Sequence, residues 1–224
     1  MTMTIDRSAI IERTLKLYVA ALSDAADEIG LGRVCVDREI VPLTKNNRMA
    51  GFARTGKMVR SPANTPYDEK QLEVFMSLGT GATDGDILVI DQAGATDCST
   101  WGQILTKIGM SKGVRGALVD GTSRDIYDID KMDFPVFARG RHPGTMRGRL
   151  DMESVQKAIV CGGVTVNPGD LVFGDGDGVV VIPLDKVEDV LKHAEEVVRT
   201  DDWWSEKLDD GDDPYDLHKE KPIP

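Results

Sequence analysis

The sequence predicts an α/β fold in one domain, on three observations. Two short apolar runs bounded by polar turns, Asp86–Asp91 and residues 116–120, read as buried strands. Between them, residues 101–113 have helical spacing, with Ile104, Leu105 and Ile108 on the inward side. Toward the C-terminus, residues 163–166, the turn 167–170 and residues 171–174 read as strand, turn, strand. The alternation of strand and helix is the α/β pattern. Neither an internal repeat nor a domain-length linker interrupts the chain.

The remaining elements follow from period and punctuation. Leu15, Val19, Leu22, Ala26 and Ile29 recur at three- and four-residue steps, and Gly30 and Gly32 stop that helix. Residues 33–61 are rich in β-branched residues and glycine and contain two or three strands, including 49–52 and 57–59. Pro62, Asn64 and Pro66 make a loop, and residues 67–78 form a helix with Leu72, Phe75 and Met76 on its apolar side. Residues 92–100 are a small-residue loop. After the turn at 121–124, residues 125–131 form a short helix and 135–138 a strand. The turn 175–178 leads into a strand at 179–182. Pro183 then opens a helix with Val187, Val190, Leu191, Ala194, Val197 and Val198 on one stripe. The domain is expected over residues 1–200, with an acidic tail at 201–224. That tail reads as solvated or as docking Trp203 and Trp204 onto a neighbouring subunit.

Composition narrows the function. The 224 residues are 41% hydrophobic and 29% charged, ordinary for a soluble globular protein. Net charge is −11, and residues 201–224 hold nine acids against three bases. Neither part offers a basic surface for phosphates, which excludes nucleic acid as an expected partner. No apolar run approaches the ~18 residues of a membrane helix, and the acidic first thirty residues do not read as a secretion signal. Cys35, Cys98 and Cys161 are far apart and form no disulfide framework, which suggests a reducing cytoplasm. His142, His193 and His218 are equally scattered, so a metal would be held by carboxylate oxygen, favouring Mg²⁺ or Mn²⁺ over Zn²⁺.

Ligands of open α/β sheets collect beyond the carboxyl ends of parallel strands, and two such ends follow Asp91 and Asp120. After Asp91 the loop feeds a helix start whose N–H groups at Gly102, Gln103, Ile104 and Leu105 suit a carboxylate or phosphate. After Asp120 come Arg124 and Asp125, a guanidinium and a carboxylate able to bind a small acid and a divalent ion together. Other signals are weaker. The glycines of 79–85 precede a strand and so do not make a dinucleotide loop. Residues 175–178 lack the Glu of a calcium loop and read as a tight turn. His193 borders an apolar stripe, and Cys98 has no histidine committed to activating it.

These residues carry a resemblance. Gly94 with Trp101-Gly102, then Gly113–Gly116 and Asp120-Gly121, then Arg124-Asp125, resemble the family of regulator of ribonuclease activity A, which includes the 4-hydroxy-4-methyl-2-oxoglutarate aldolases. Residues 162–170 and 174–183 resemble the same family's C-terminal segment, and Ser23-Asp24-Ala25 also fits, so the likeness runs from about residue 18 to about residue 200. The resemblance implies an α/β/β/α sandwich like the swivelling β/β/α domain, assembled as a homotrimer or homohexamer with sites at subunit boundaries. It implies a divalent-metal lyase that cleaves a 4-hydroxy-2-oxo acid to pyruvate, with oxaloacetate decarboxylation as a companion activity.

By position, Asp125 matches the family's metal ligand and Arg124 its catalytic arginine. Gly102, Gln103, Ile104 and Leu105 match its carboxylate site, and Glu195 or Glu196 of a neighbouring subunit would join the metal's outer shell. Family aldolases usually carry Asp or Glu where this chain has Gln103, which can hold a water but supplies no charge. Two alternatives stand beside the lyase: a non-catalytic protein-binding modulator, and a same-fold dehydratase or isomerase of a sugar acid. Arg60, Arg139, Arg141, Arg147 and Arg149 are the candidates for meeting a second substrate carboxylate.

Overall fold

The computed structural model describes residues 6–62 and 69–222. Helices α1 (Arg7–Thr14) and α2 (Val19–Glu28) lead into the short β1 (Val41–Pro42) and the long β2 (Met49–Arg60). Next come α3 (Glu69–Thr80), β3 (Asp86–Asp91), β4 (Ser99–Trp101), α4 (Gln103–Met110), β5 (Gly116–Ser123), α5 (Ile126–Asp130) and β6 (Val136–Arg141). The chain closes with β7 (Leu150–Val155), β8 (Ile159–Cys161), β9 (Val164–Val166), β10 (Leu171–Asp175), β11 (Gly178–Ile182), α6 (Val187–Asp209) and α7 (Pro214–Glu220).

β2, β3, β5 and β6 lie side by side and parallel. Each crossover carries a helix, α3, α4 and α5 in turn, as parallel neighbours require. β2 is long enough to take two further partners on its other edge: β10 along Met49–Phe52 and β7 along Gly56–Arg60, both antiparallel. β10 continues into β11, so the sheet runs β1-β6-β5-β3-β2-β10-β11 and curls into a nearly closed barrel. Phe137 of β6 reaches across it: its Cζ lies 2.9 Å from where a Cβ at Gly174 of β10 would stand.

Strand alternation sorts the side chains into three cores. Ile87, Val89, Leu118, Phe137, Val172 and Val181 point into the barrel, where the β8–β9 hairpin adds Ile159, Cys161 and Val166. Their neighbours Leu88, Ile90, Ala117, Val119 and Val136 point outward and pack under α3, α4 and α5. On the opposite side Phe52, Leu171, Phe173, Val180 and Ile182 pack under α2 and α6. The result is the expected α/β/β/α layering, with every strand of the parallel set buried on both faces.

Several boundaries differ from the sequence reading. Leu15 lies in the turn between α1 and α2, because Asp175 of the β10–β11 hairpin accepts the Val19 N–H at 2.8 Å and fixes a new helix start there. Residues 49–52 and 57–59 belong to one strand, since β10 and β7 together supply partners along its length. α4 is shorter than residues 101–113: Trp101 ends β4 and Gly102 is the N-cap. A 3-10 turn, Leu184–Lys186, separates Pro183 from α6. Asn64, Pro66 and Tyr67 lie outside the described residues. The largest difference is at the acidic tail. α6 runs through residue 200 unbroken to Asp209, and α7 folds back on it. Trp204 is buried, and its Nε1 donates to the Lys221 carbonyl at 3.0 Å, so this tryptophan docks onto its own chain.

Candidate active site

Two turns meet beyond the carboxyl ends of β4 and β5. The strands pair in parallel, so the chain entering α4 and the chain entering α5 run side by side. Their backbones are tied: Arg124 N donates to the Trp101 carbonyl at 3.0 Å, and Ser123 Oγ donates to the same oxygen at 3.3 Å. Trp101 anchors the first turn by stacking on Phe134, with ring centroids 6.0 Å apart. Among the described residues its Nε1 is a buried donor without a partner.

Asp125 is the N-cap residue of α5, yet its carboxylate does not cap that helix. The backbone there is left-handed, φ 60° and ψ 24°, a conformation Asp tolerates better than most residues but that still carries strain. The side chain turns instead to the start of α4. Asp125 Oδ2 accepts the Gln103 N–H at 3.1 Å and lies 3.6 Å from Arg124 Nε. Gly102 makes that approach possible. Its own backbone is extended, but a Cβ there would stand 2.8 Å from Asp125 Oδ2 and 3.3 Å from Arg124 Cγ.

The expected anion site at the α4 start is therefore partly filled by the protein's own carboxylate. Gln103 N–H is engaged, while Ile104 and Leu105 still present first-turn N–H groups that no helical carbonyl can reach. The side chains of Arg124 and Asp125 are about two-fifths exposed. They line a cleft of about 270 Å³ together with Ser99, Thr100, Gly102 and Arg147. Its other wall is apolar: Leu72, Phe75 and Met76 of α3, Ile104 and Leu105 of α4, and Met146. The sequence reading placed Leu72, Phe75 and Met76 on the apolar side of their helix. Amphipathic spacing gave their side of the helix but could not show that the core they cover opens onto Arg124.

The other candidates lie elsewhere. Asp120 is buried and accepts Arg139 Nε at 2.6 Å and Gly162 N at 2.7 Å. Arg139 also reaches Asp37 and Glu39. That network fastens residues 37–39 and the β8–β9 turn to the sheet; Asp120 lies within β5, which continues to Ser123, and its role is structural. Asp91 accepts the Ala93 N–H at 2.8 Å, and burial raises its pKa above the usual carboxylate range. Among the five arginines considered for a second carboxylate, Arg147 borders the cleft. Arg60 pairs with Asp97, Arg141 donates to the Leu43 carbonyl, and Arg149 donates to the Thr145 carbonyl. Glu195 binds Arg13 at 2.8 Å and Glu196 binds Arg199 at 2.6 Å on their own chain. His193 pairs with Glu28 at 3.0 Å. Cys98 is buried, and its thiol is pushed up by that burial, so it is not a ready nucleophile.

Among the described residues no three His, Cys, Asp or Glu side chains group to hold a metal. Asp125 offers a single carboxylate. That suffices for a hydrated Mg²⁺ or Mn²⁺, which keeps several waters and needs one or two carboxylates plus substrate oxygens, but not for an ion that demands an all-protein cage. Among the described residues no helix is long and apolar enough to cross a membrane.

Known proteins resemble this chain in sequence and in fold. A protein of Halalkalibacterium halodurans named "Putative 4-hydroxy-4-methyl-2-oxoglutarate aldolase" is 34% identical over 173 residues, 77% of this chain and 76% of the relative. Protein DlpA of Legionella pneumophila is 28% identical over 183 residues, 81% of this chain, which spans only 29% of DlpA's length. A solved, uncharacterised protein of Pseudomonas syringae superposes with a TM-score of 0.81 at 28% identity, covering 96% of this chain and 99% of that one. Streptomyces coelicolor RraAS2, described as an unusual member of the RNase ES inhibitor RraA protein family, shares the fold with a TM-score of 0.78 at 23% identity, covering 90% of this chain and 99% of that one. A family model for RraA-like proteins, described as Aldolase/RraA, matches residues 19–181, and the chain belongs to that family.

Proposed function

We propose that this protein is a divalent-metal-dependent lyase that cleaves a 4-hydroxy-2-oxo acid to pyruvate. One observation carries the reading: the left-handed Asp125 sets its carboxylate against the first turn of α4, beside Arg124, with glycine at 102 to admit it. The aldolase name of the Halalkalibacterium halodurans relative supports the same reading. The N–H groups of Ile104 and Leu105 hold the substrate carboxylate at the positive end of α4. In the reaction the C4 hydroxyl gives its proton to water in the open cleft and becomes a carbonyl as the C3–C4 bond breaks. The electron pair passes to C3, giving pyruvate enolate, and water returns a proton to C3. Negative charge grows on the enolate oxygen, and the Arg124 guanidinium stabilises it there. Asp125 would hold Mg²⁺ or Mn²⁺, which when bound supplies Lewis-acid polarisation of the 2-oxo group.

The test is pyruvate release from a panel of 4-hydroxy-2-oxo acids and oxaloacetate, with and without EDTA. Release that EDTA abolishes, and that falls by ~10²-fold or more in Arg124→Ala, is the expected result. Release unaffected by EDTA overturns the metal role, and no release from any member overturns the lyase. A protein-binding modulator of the same family would release none and keep its partner affinity in EDTA. A dehydratase or isomerase would consume its acid without forming pyruvate.

A further inference from the structure

We infer that the cleft selects 2-oxo acids whose chain beyond carbon 4 is apolar, so that the second product is an aliphatic or aromatic aldehyde and not a second 2-oxo or carboxylic acid. This rests on the lyase reading only for the bond that breaks; the choice of chain rests on the cleft wall itself. The polar groups come from β4 and from the turns into α4 and α5: Ser99, Thr100, Arg124, Asp125 and the first N–H groups of α4. Facing them, α3 and α4 supply Leu72, Phe75, Met76, Ile104 and Leu105, and the loop before β7 supplies Met146. Ile104 is the telling residue. It stands at the first turn of α4 with 64% of its surface exposed, and its side chain lines the cleft beside the N–H groups proposed to hold the carboxylate.

A second carboxylate on that wall would lose its water and meet six apolar side chains, a desolvation that its binding must offset. Among the described residues, the cations bordering the cleft are Arg124 and Arg147. Arg124 lies beside Asp125 at the reacting end, and Arg147 takes part in an interaction of its own. An alkyl chain instead gains from each methylene that it buries, roughly fourfold in affinity per CH₂.

Binding of uncleavable acids separates this inference from the reaction. Calorimetry of the full chain with Mg²⁺ would compare 2-oxobutyrate, 2-oxohexanoate and 2-oxoglutarate. The expected result is 2-oxohexanoate binding about fifteenfold tighter than 2-oxobutyrate, from two more buried methylenes, with 2-oxoglutarate weakest. Ile104→Lys, at an exposed site that tolerates the change, should reverse the order toward 2-oxoglutarate, and Leu72→Lys should do the same. Equal or tighter binding of 2-oxoglutarate by the unaltered protein overturns the inference, as does an order that neither variant shifts. If 2-oxohexanoate binds tightest but no hydroxy acid yields pyruvate, the lyase reading fails and the apolar subsite stands. If pyruvate forms fastest from dicarboxylic substrates, the lyase stands and the subsite fails.

Discussion

Gly102→Ala separates the fold from the chemistry. The residue's backbone is extended, with φ −168° and ψ −177°, so alanine meets no conformational strain. Its Cβ, however, would sit 2.8 Å from Asp125 Oδ2 and 3.3 Å from Arg124 Cγ. The carboxylate must retreat by about half an ångström or more to reach van der Waals contact, which breaks its bond from Gln103 N–H. That bond is charge-assisted, but the Asp125 side chain is 38% exposed, so its loss costs only about 1 kcal/mol. Replacing glycine stabilises by about 0.4–1 kcal/mol through the unfolded chain. The two nearly cancel, and Tm should stay within about 3 °C. Turnover has no such compensation: both functional side chains are displaced together, and misplacements approaching 1 Å cost up to ~10²-fold. A coupled pyruvate assay beside a thermal melt reads both quantities. A variant with unchanged Tm and undiminished kcat would refute the claim that the Gly102 gap sets the catalytic geometry.

Three other changes test the supporting structure. Asp120→Ala leaves Arg139 and the Gly162 N–H without their buried acceptor and should cost about 3–5 kcal/mol, a fall of roughly 10 °C in Tm; a fall under 2 °C would show that the network does not fasten the β8–β9 turn. Asp91→Asn tests burial. Because desolvation raises the folded pKa of Asp91, the penalty is absent below the unfolded pKa, grows as pH rises through the folded pKa, and is complete above it. The variant should therefore gain more Tm over the parent at pH 7 than at pH 3.5, as melts at the two values would show. Trp204→Ala removes the side chain that joins α6 to Lys221, and limited proteolysis should then cut within residues 205–222 faster while the melt of the domain changes little; unaltered cleavage would show that α7 is held by other contacts.

Much of the fold was legible along the chain. Strands buried on both faces read as continuous apolar runs, and Asp86–Asp91 and residues 116–120 announced the centre of the sheet with no tertiary information. Arg124, Asp125 and the α4 start were legible as well, because glycine, a β-strand end and a charged pair are local signals, and the family likeness put them in one frame. What was not legible depended on contacts between distant segments. The break between α1 and α2 needs Asp175 from the far hairpin. The helical tail needs Trp204 to find Lys221, whereas its charge by itself favours solvation.

The sequence by itself determined which residue types are available for chemistry and that strands alternate with helices, since both are written in residue type and period. Only the tertiary structure decided where those residues point. The left-handed turn at Asp125 aims its carboxylate at another helix, and the packing of α3 over α4 lays an apolar wall beside it. Neither is encoded in local spacing, because side-chain direction and cleft shape arise where segments far apart in sequence are packed against one another.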